Sequence, residues 1–98
     1  MKLAFHIHTY HSFDCLTRPK RIISAAKANG IDTIIVTDHG TIKGAIETRE
    51  IAKNTGVEVI IGAEYYSNEG DIIGLFLSDE IVSNDYATIL REIINHHL

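Results

Sequence analysis

The feature that most restricts this chain is an alternation of segment types. Three apolar runs, KLAFHIH at residues 2–8, DTIIVTDH at 32–39 and VEVIIGAE at 57–64, are separated by two stretches of helical character. In the first run Leu3, Phe5 and Ile7 alternate with Ala4, His6 and His8, the spacing of a strand. The second run is β-branched almost throughout, as a strand buried on both faces should be. Between them PKRIISAAKAN (19–29) reads as a helix bounded by Thr17 or Arg18, with Pro19 in its first turn and Gly30 as its stop. KGAIETREIAKNT (43–55) reads as a second helix, closed by Gly56. YYSNEGDIIGLFL (65–77) has the look of a hairpin turning at Asn68-Glu69-Gly70. A last helix over 83–98 is capped by Ser83, Asn84 or Asp85 and turns Ile89, Leu90, Ile93 and Ile94 inward. Strand, helix, strand, helix, strand implies βαβ units, a parallel sheet and an α/β fold. An eight-stranded barrel needs about 250 residues, so one domain over 1–98 forms an open sheet, or the leading part of a larger one. Such a sheet has an edge strand that must be covered or paired.

Composition narrows the function classes. The chain has 98 residues, 45% of them hydrophobic, in the range of one globular domain with a thin core. Its formal net charge of −4 argues against non-specific binding to a nucleic-acid backbone. Hydrolysis of a phosphate ester stays open, because bound cations reverse the local field. The single Cys15 excludes an internal disulfide and fits a reducing cytosol. No signal peptide or membrane-spanning stretch is visible, so a soluble cytoplasmic domain is expected.

Chemistry concentrates where the strands end. The first run finishes in His6-Ile7-His8, the second in Thr37-Asp38-His39, and the third reaches Glu64. Ligands of parallel sheets gather at the carboxyl ends of the strands, where loops and helix N-termini converge. By alternation Ala4, His6 and His8 share one face of the first strand, and Thr33, Ile35, Thr37 and His39 one face of the second. Neighbouring strands lie about 4.8 Å apart, so such side chains can meet on one cation. Imidazoles with carboxylates suit zinc, manganese or iron better than magnesium or calcium, which prefer oxygen shells. Taken singly each element is weak: a His-x-His pair is commonly a surface feature, and Glu64 alone reads as a solvated carboxylate opening a hairpin. Their coincidence at three successive strand ends carries the metal reading.

The stretches HIHTYHS, VTDHGTIKGA, IGAE and EGDIIGLFL together resemble the amino-terminal half of the PHP domain, named for polymerase and histidinol phosphatase, over essentially the whole chain. The resemblance implies a partial distorted (β/α) barrel, with about three parallel βα units, a hairpin and a C-terminal helix. It implies up to three divalent metal ions, zinc, manganese or iron, at the carboxyl-terminal rim. By position His6 and His8 match the paired histidines on one metal and Glu64 the bridging carboxylate. His39 matches the strand-two ligand of a third metal, and Asp14 the loop ligand. Asp38 is not a ligand in this pattern and is expected to hydrogen-bond backbone or a neighbouring ligand, holding the rim in shape. The implied activity is hydrolysis of phosphoric esters on a phosphorylated small molecule, a nucleotide or a nucleic-acid end.

Two departures set further expectations. Ala4 stands where many members have an aspartate. The family's later histidines and its Asp-x-His motif have no counterpart before Leu98, so a truncated or split member is expected, completed by a second copy or a complementing C-terminal half. The alternatives are a non-catalytic assembly module and a carbon–nitrogen hydrolase. His96 and His97 read as helix-end residues, His11 as an exposed loop residue, and Cys15 as a small loop residue. Arg18, Lys20 and Lys43 read as solvated, and Tyr65 and Tyr66 as hairpin packing.

Overall fold

Every helical and extended segment anticipated above has a counterpart in the computed structural model, which describes residues 3–11 and 17–95 and, of Phe5 and His6, the backbone alone. The elements are β1 (Leu3–Ile7), α1 (Pro19–Ala28), β2 (Thr33–His39), α2 (Lys43–Ala52), β3 (Glu58–Ser67), β4 (Gly70–Leu75) and α3 (Tyr86–Asn95). They build a four-stranded sheet in the order β1-β2-β3-β4, curled as part of a barrel wall. β1, β2 and β3 run parallel, and β4 returns antiparallel along β3.

Local chemistry explains most boundaries. α1 stops where Gly30 takes φ +69, a left-handed conformation that costs glycine nothing, and the Ile31 amide bonds back to the Ala26 carbonyl at 2.9 Å. Asp85 caps α3: its Oδ2 accepts the Thr88 amide at 3.0 Å and the Thr88 hydroxyl at 2.8 Å. These bonds hold the Asp85 carboxyl below its ordinary pKa. α2 is shorter than expected, because Lys53 leaves helical geometry and Asn54 turns left-handed at φ 66. β3 is longer, running three residues past Glu64 before the turn at Asn68 and Glu69.

The three helices pack on one side of the sheet. Ile22, Ile23 and Ala26 of α1, Ala45 and Ala52 of α2, and Ile89 of α3 meet Ile34 and Val36 of β2 and Val59, Ile61, Ala63 and Tyr65 of β3. Leu90 and Ile93 join this core, whereas Ile94 is 57% exposed and does not, contrary to the periodicity expected of α3. A second correction concerns β1. Ala4 pairs with Ile34 and Ile7 with Val36, so three steps along β1 match two along β2. This bulge interrupts alternation, and Ala4 joins Ile7 on the helical side instead of sharing the face of His8.

Candidate metal centre

Register places the donor side chains. In β2 and β3 the pairing is unbroken from Thr33 with Glu58 to His39 with Glu64, so His39 and Glu64 stand side by side on the face away from the helices. They form the last parallel pair, which keeps Glu64 at the rim although β3 continues beyond it. The bulge in β1 restores His8 to this same face, one residue past the strand end.

His8, His39 and Glu64 each offer one ligand atom, and these three atoms lie within 4.8 Å of one another. His8 Nε2 is 3.3 Å and His39 Nδ1 3.9 Å from Glu64 Oε1. The imidazole rings meet edge to face, with centroids 4.5 Å apart. A tetrahedral ion bonded at about 2.0–2.1 Å separates its ligand atoms by about 3.3 Å, so small side-chain shifts bring this set onto one cation. The donor chemistry, two imidazoles and a carboxylate, suits a divalent metal ion. Glu64 is 8% exposed, far from the solvated carboxylate that it suggests in isolation.

The other residues singled out from the sequence, the expected ligands His6 and Asp14 among them, stand differently. The His6 side chain and Asp14 lie outside the described residues, as do Cys15, His96 and His97. Asp38, fully buried, points to the helical side, as alternation from His39 requires. Both of its oxygens are engaged by Thr9: Oδ1 accepts the Thr9 amide, and Oδ2 the Thr9 hydroxyl at 2.6 Å. The carboxylate thus ties the residue after His8 to the residue before His39.

Two contacts escaped the sequence reading. Tyr66 stacks on His39, with centroids 5.3 Å apart and planes 14° from parallel. The signal for it was present, since Tyr66 is two residues from Glu64 on the same strand face. His11, expected in solvent, is half-buried, and its Nε2 lies 3.0 Å from Glu47 Oε2. The Tyr10 hydroxyl donates to the same carboxylate at 2.9 Å, and Arg18 lies 4.8 Å above the Tyr10 ring, an exposed cation with an aromatic partner. The bond from His11 pulls the Glu47 carboxyl down, and the bond to Glu47 pushes the Tyr10 hydroxyl up. Together these contacts fasten the start of the β1–α1 loop to α2.

Comparison with known proteins fits this geometry. The family model described as PHP domain matches residues 4–95. An uncharacterised protein of Methanocaldococcus jannaschii is 43% identical over 83% of this chain and 53% of its own length. A 5′-3′ exoribonuclease of Haemophilus influenzae is 36% identical over 76% of this chain and 28% of its own. The chain therefore spans about half or less of these relatives. Among solved structures, a candidate metal-dependent phosphoesterase from Bifidobacterium adolescentis superposes with a TM-score of 0.63 at 23% identity. That match covers 76% of this chain and 27% of the other, and it shows a shared fold.

Proposed function

The chain belongs to the PHP domain family, and from that premise we propose that it forms the metal-binding part of a divalent-metal-dependent hydrolase of phosphoric esters. One observation carries the reading: His8, His39 and Glu64, at the ends of three neighbouring strands or just past them, converge at one pole with donor atoms close enough to share an ion. His6 and Asp14 are proposed to extend this set. A bound divalent cation supplies Lewis acidity towards phosphoryl oxygens and activates water near neutral pH. The chain's own residues do the holding. Glu64 places one carboxylate oxygen between two imidazoles, Asp38 fixes the spacing of the two histidine-bearing segments through Thr9, and Tyr66 limits rotation of the His39 ring. A nucleotide or nucleic-acid end is the substrate class supported by the relative named as an exoribonuclease.

A second reading rests on a specific observation: the chain spans about half of its M. jannaschii relative. On that reading the described donors bind metal without turnover. One experiment separates the two. Zinc or manganese content is measured by mass spectrometry after dialysis, alongside phosphate release from p-nitrophenyl phosphate and nucleoside monophosphates. The chain is expected to retain metal, and His8→Ala with His39→Ala to lose it. Unchanged uptake in that variant sinks the site. Retained metal with no hydrolysis of any ester leaves the non-catalytic module.

A further inference from the structure

Arg18 and Lys20, which read singly as solvated, line one open cleft with Thr17, Arg21 and Ser24, about 680 Å³ in volume. We propose that this cleft holds phosphates of a nucleic-acid strand set back from the ester that is hydrolysed at the metal rim, so that the substrate is an oligonucleotide. The proposal rests on the phosphoesterase reading and deepens it by naming the substrate class.

Charge, location and geometry converge on it. The described lining residues are three cations and two hydroxyls, so the cleft is positive in a chain whose net charge is −4. That net charge opposes unselective binding to nucleic acid, whereas a local cluster of this kind suits a single track of phosphates. Among the described residues no ion pair takes up Lys20 or Arg21, while Lys27 donates to the Thr55 carbonyl and Lys53 pairs with Glu50, each at 2.8 Å. Glu47 of α2 feels the charge of Arg18, but its carboxylate is already engaged by His11 and Tyr10.

The cluster stands at the same pole as the donor set. The Tyr10 amide donates to the Thr17 carbonyl at 2.8 Å, and the Arg18 guanidinium lies 4.8 Å above the Tyr10 ring, two residues past His8. Lys20, Arg21 and Ser24 follow at intervals of three and four residues, on the exposed side of α1, while Pro19, Ile22, Ile23 and Ala26 are buried. The helix start is not itself the source of donors, since Pro19 at its first position has no N–H. The side chains supply them: arginine forks grip phosphate oxygens in pairs, lysine adds a point charge, and hydroxyls add neutral contacts.

The test is fluorescence anisotropy of a 3′-labelled hexathymidylate bearing a 5′-phosphate, titrated with the full chain in EDTA. Three phosphate contacts predict a slope of about −2 in log affinity against log salt, or about 15–20-fold weaker binding at 200 mM than at 50 mM. Lys20→Gln with Arg21→Gln leaves one contact, and the loss over the same salt range should shrink to about threefold. Arg49→Gln with Lys53→Gln removes the same charge from the far end of α2 and should keep the wild-type salt dependence. A hexamer with the same 5′-phosphate and uncharged methylphosphonate links should show no more salt dependence than the Lys20 and Arg21 double variant. Equal binding of the two hexamers, no binding of the charged one, or the same loss in both double variants would overturn the proposal. The comparison of hexamers uses the wild-type chain and so stands even if a variant unfolds. Because the titration needs neither metal nor turnover, failure to hydrolyse any ester would leave its outcome intact.

Discussion

Asp38 shows how one side chain sets the spacing of others that it does not touch. It cannot face the same way as His39, because adjacent residues of a strand point to opposite faces. Instead both its oxygens accept from Thr9. His8 and His39 are each one residue away from that clamp, so their separation is held by a buried, fully used carboxylate. Asp38→Asn keeps the volume and loses one acceptor oxygen and the charge. Loss of such support typically costs about 10–100-fold in metal affinity, and an unsatisfied buried group about 1–3 kcal/mol of stability. Both are expected, read by calorimetric zinc titration and by thermal melting. A lower melting temperature with unchanged zinc affinity would mean that Asp38 holds the fold and does nothing for the donors.

At the scale of elements, the same clamp explains how closely α2 approaches the strand ends. A Cβ on Gly44 would land on Asp38 Oδ2 and Thr9 Oγ1, well inside contact distance. Gly44→Ala should raise helix propensity by about 1 kcal/mol, yet overpacking usually costs about 1–3 kcal/mol, and here the obstacle is a buried hydrogen-bonded pair. The net expectation is a melting temperature lower by several degrees, together with weaker metal uptake; a rise in melting temperature would overturn it. Periodicity and β-branching made the strands and helices legible in the sequence, together with the rim positions of His39 and Glu64. What stayed hidden depends on contacts between elements. The β1 bulge that moves Ala4 to the helical side is visible only against β2. The early end of α2 reflects backbone angles at Lys53 and Asn54, to which the side-chain pattern is blind. Tyr66 stacks on His39 because β3 runs past the last parallel pair, a matter of strand length. The partial burial of His11 is invisible to local pattern because its partner, Glu47, lies 36 positions away.

Across the whole molecule the two faces of the sheet differ. All three helices cover one face and share a single core. The other carries the donor set at its rim and, below it, Leu3, Ile35, Ile60, Ile73 and Leu75, as the register dictates. Ile35 is buried at 8% exposure, but Leu3 and Ile73 are each 46% exposed. A sheet with apolar residues on both faces needs a layer on each, and exposed apolar patches of this kind mark surfaces that associate. The purified chain is therefore expected to self-associate at micromolar concentration unless a partner covers this face. Sedimentation velocity should show a concentration-dependent shift beyond the monomer. Leu3→Glu with Ile73→Glu should abolish the shift and, at half-exposed positions clear of the core, change stability by only about 0.5 kcal/mol each. If the wild type is monomeric throughout, association is not how this face is covered. If the double variant unfolds instead of dissociating, these side chains belong to the fold itself.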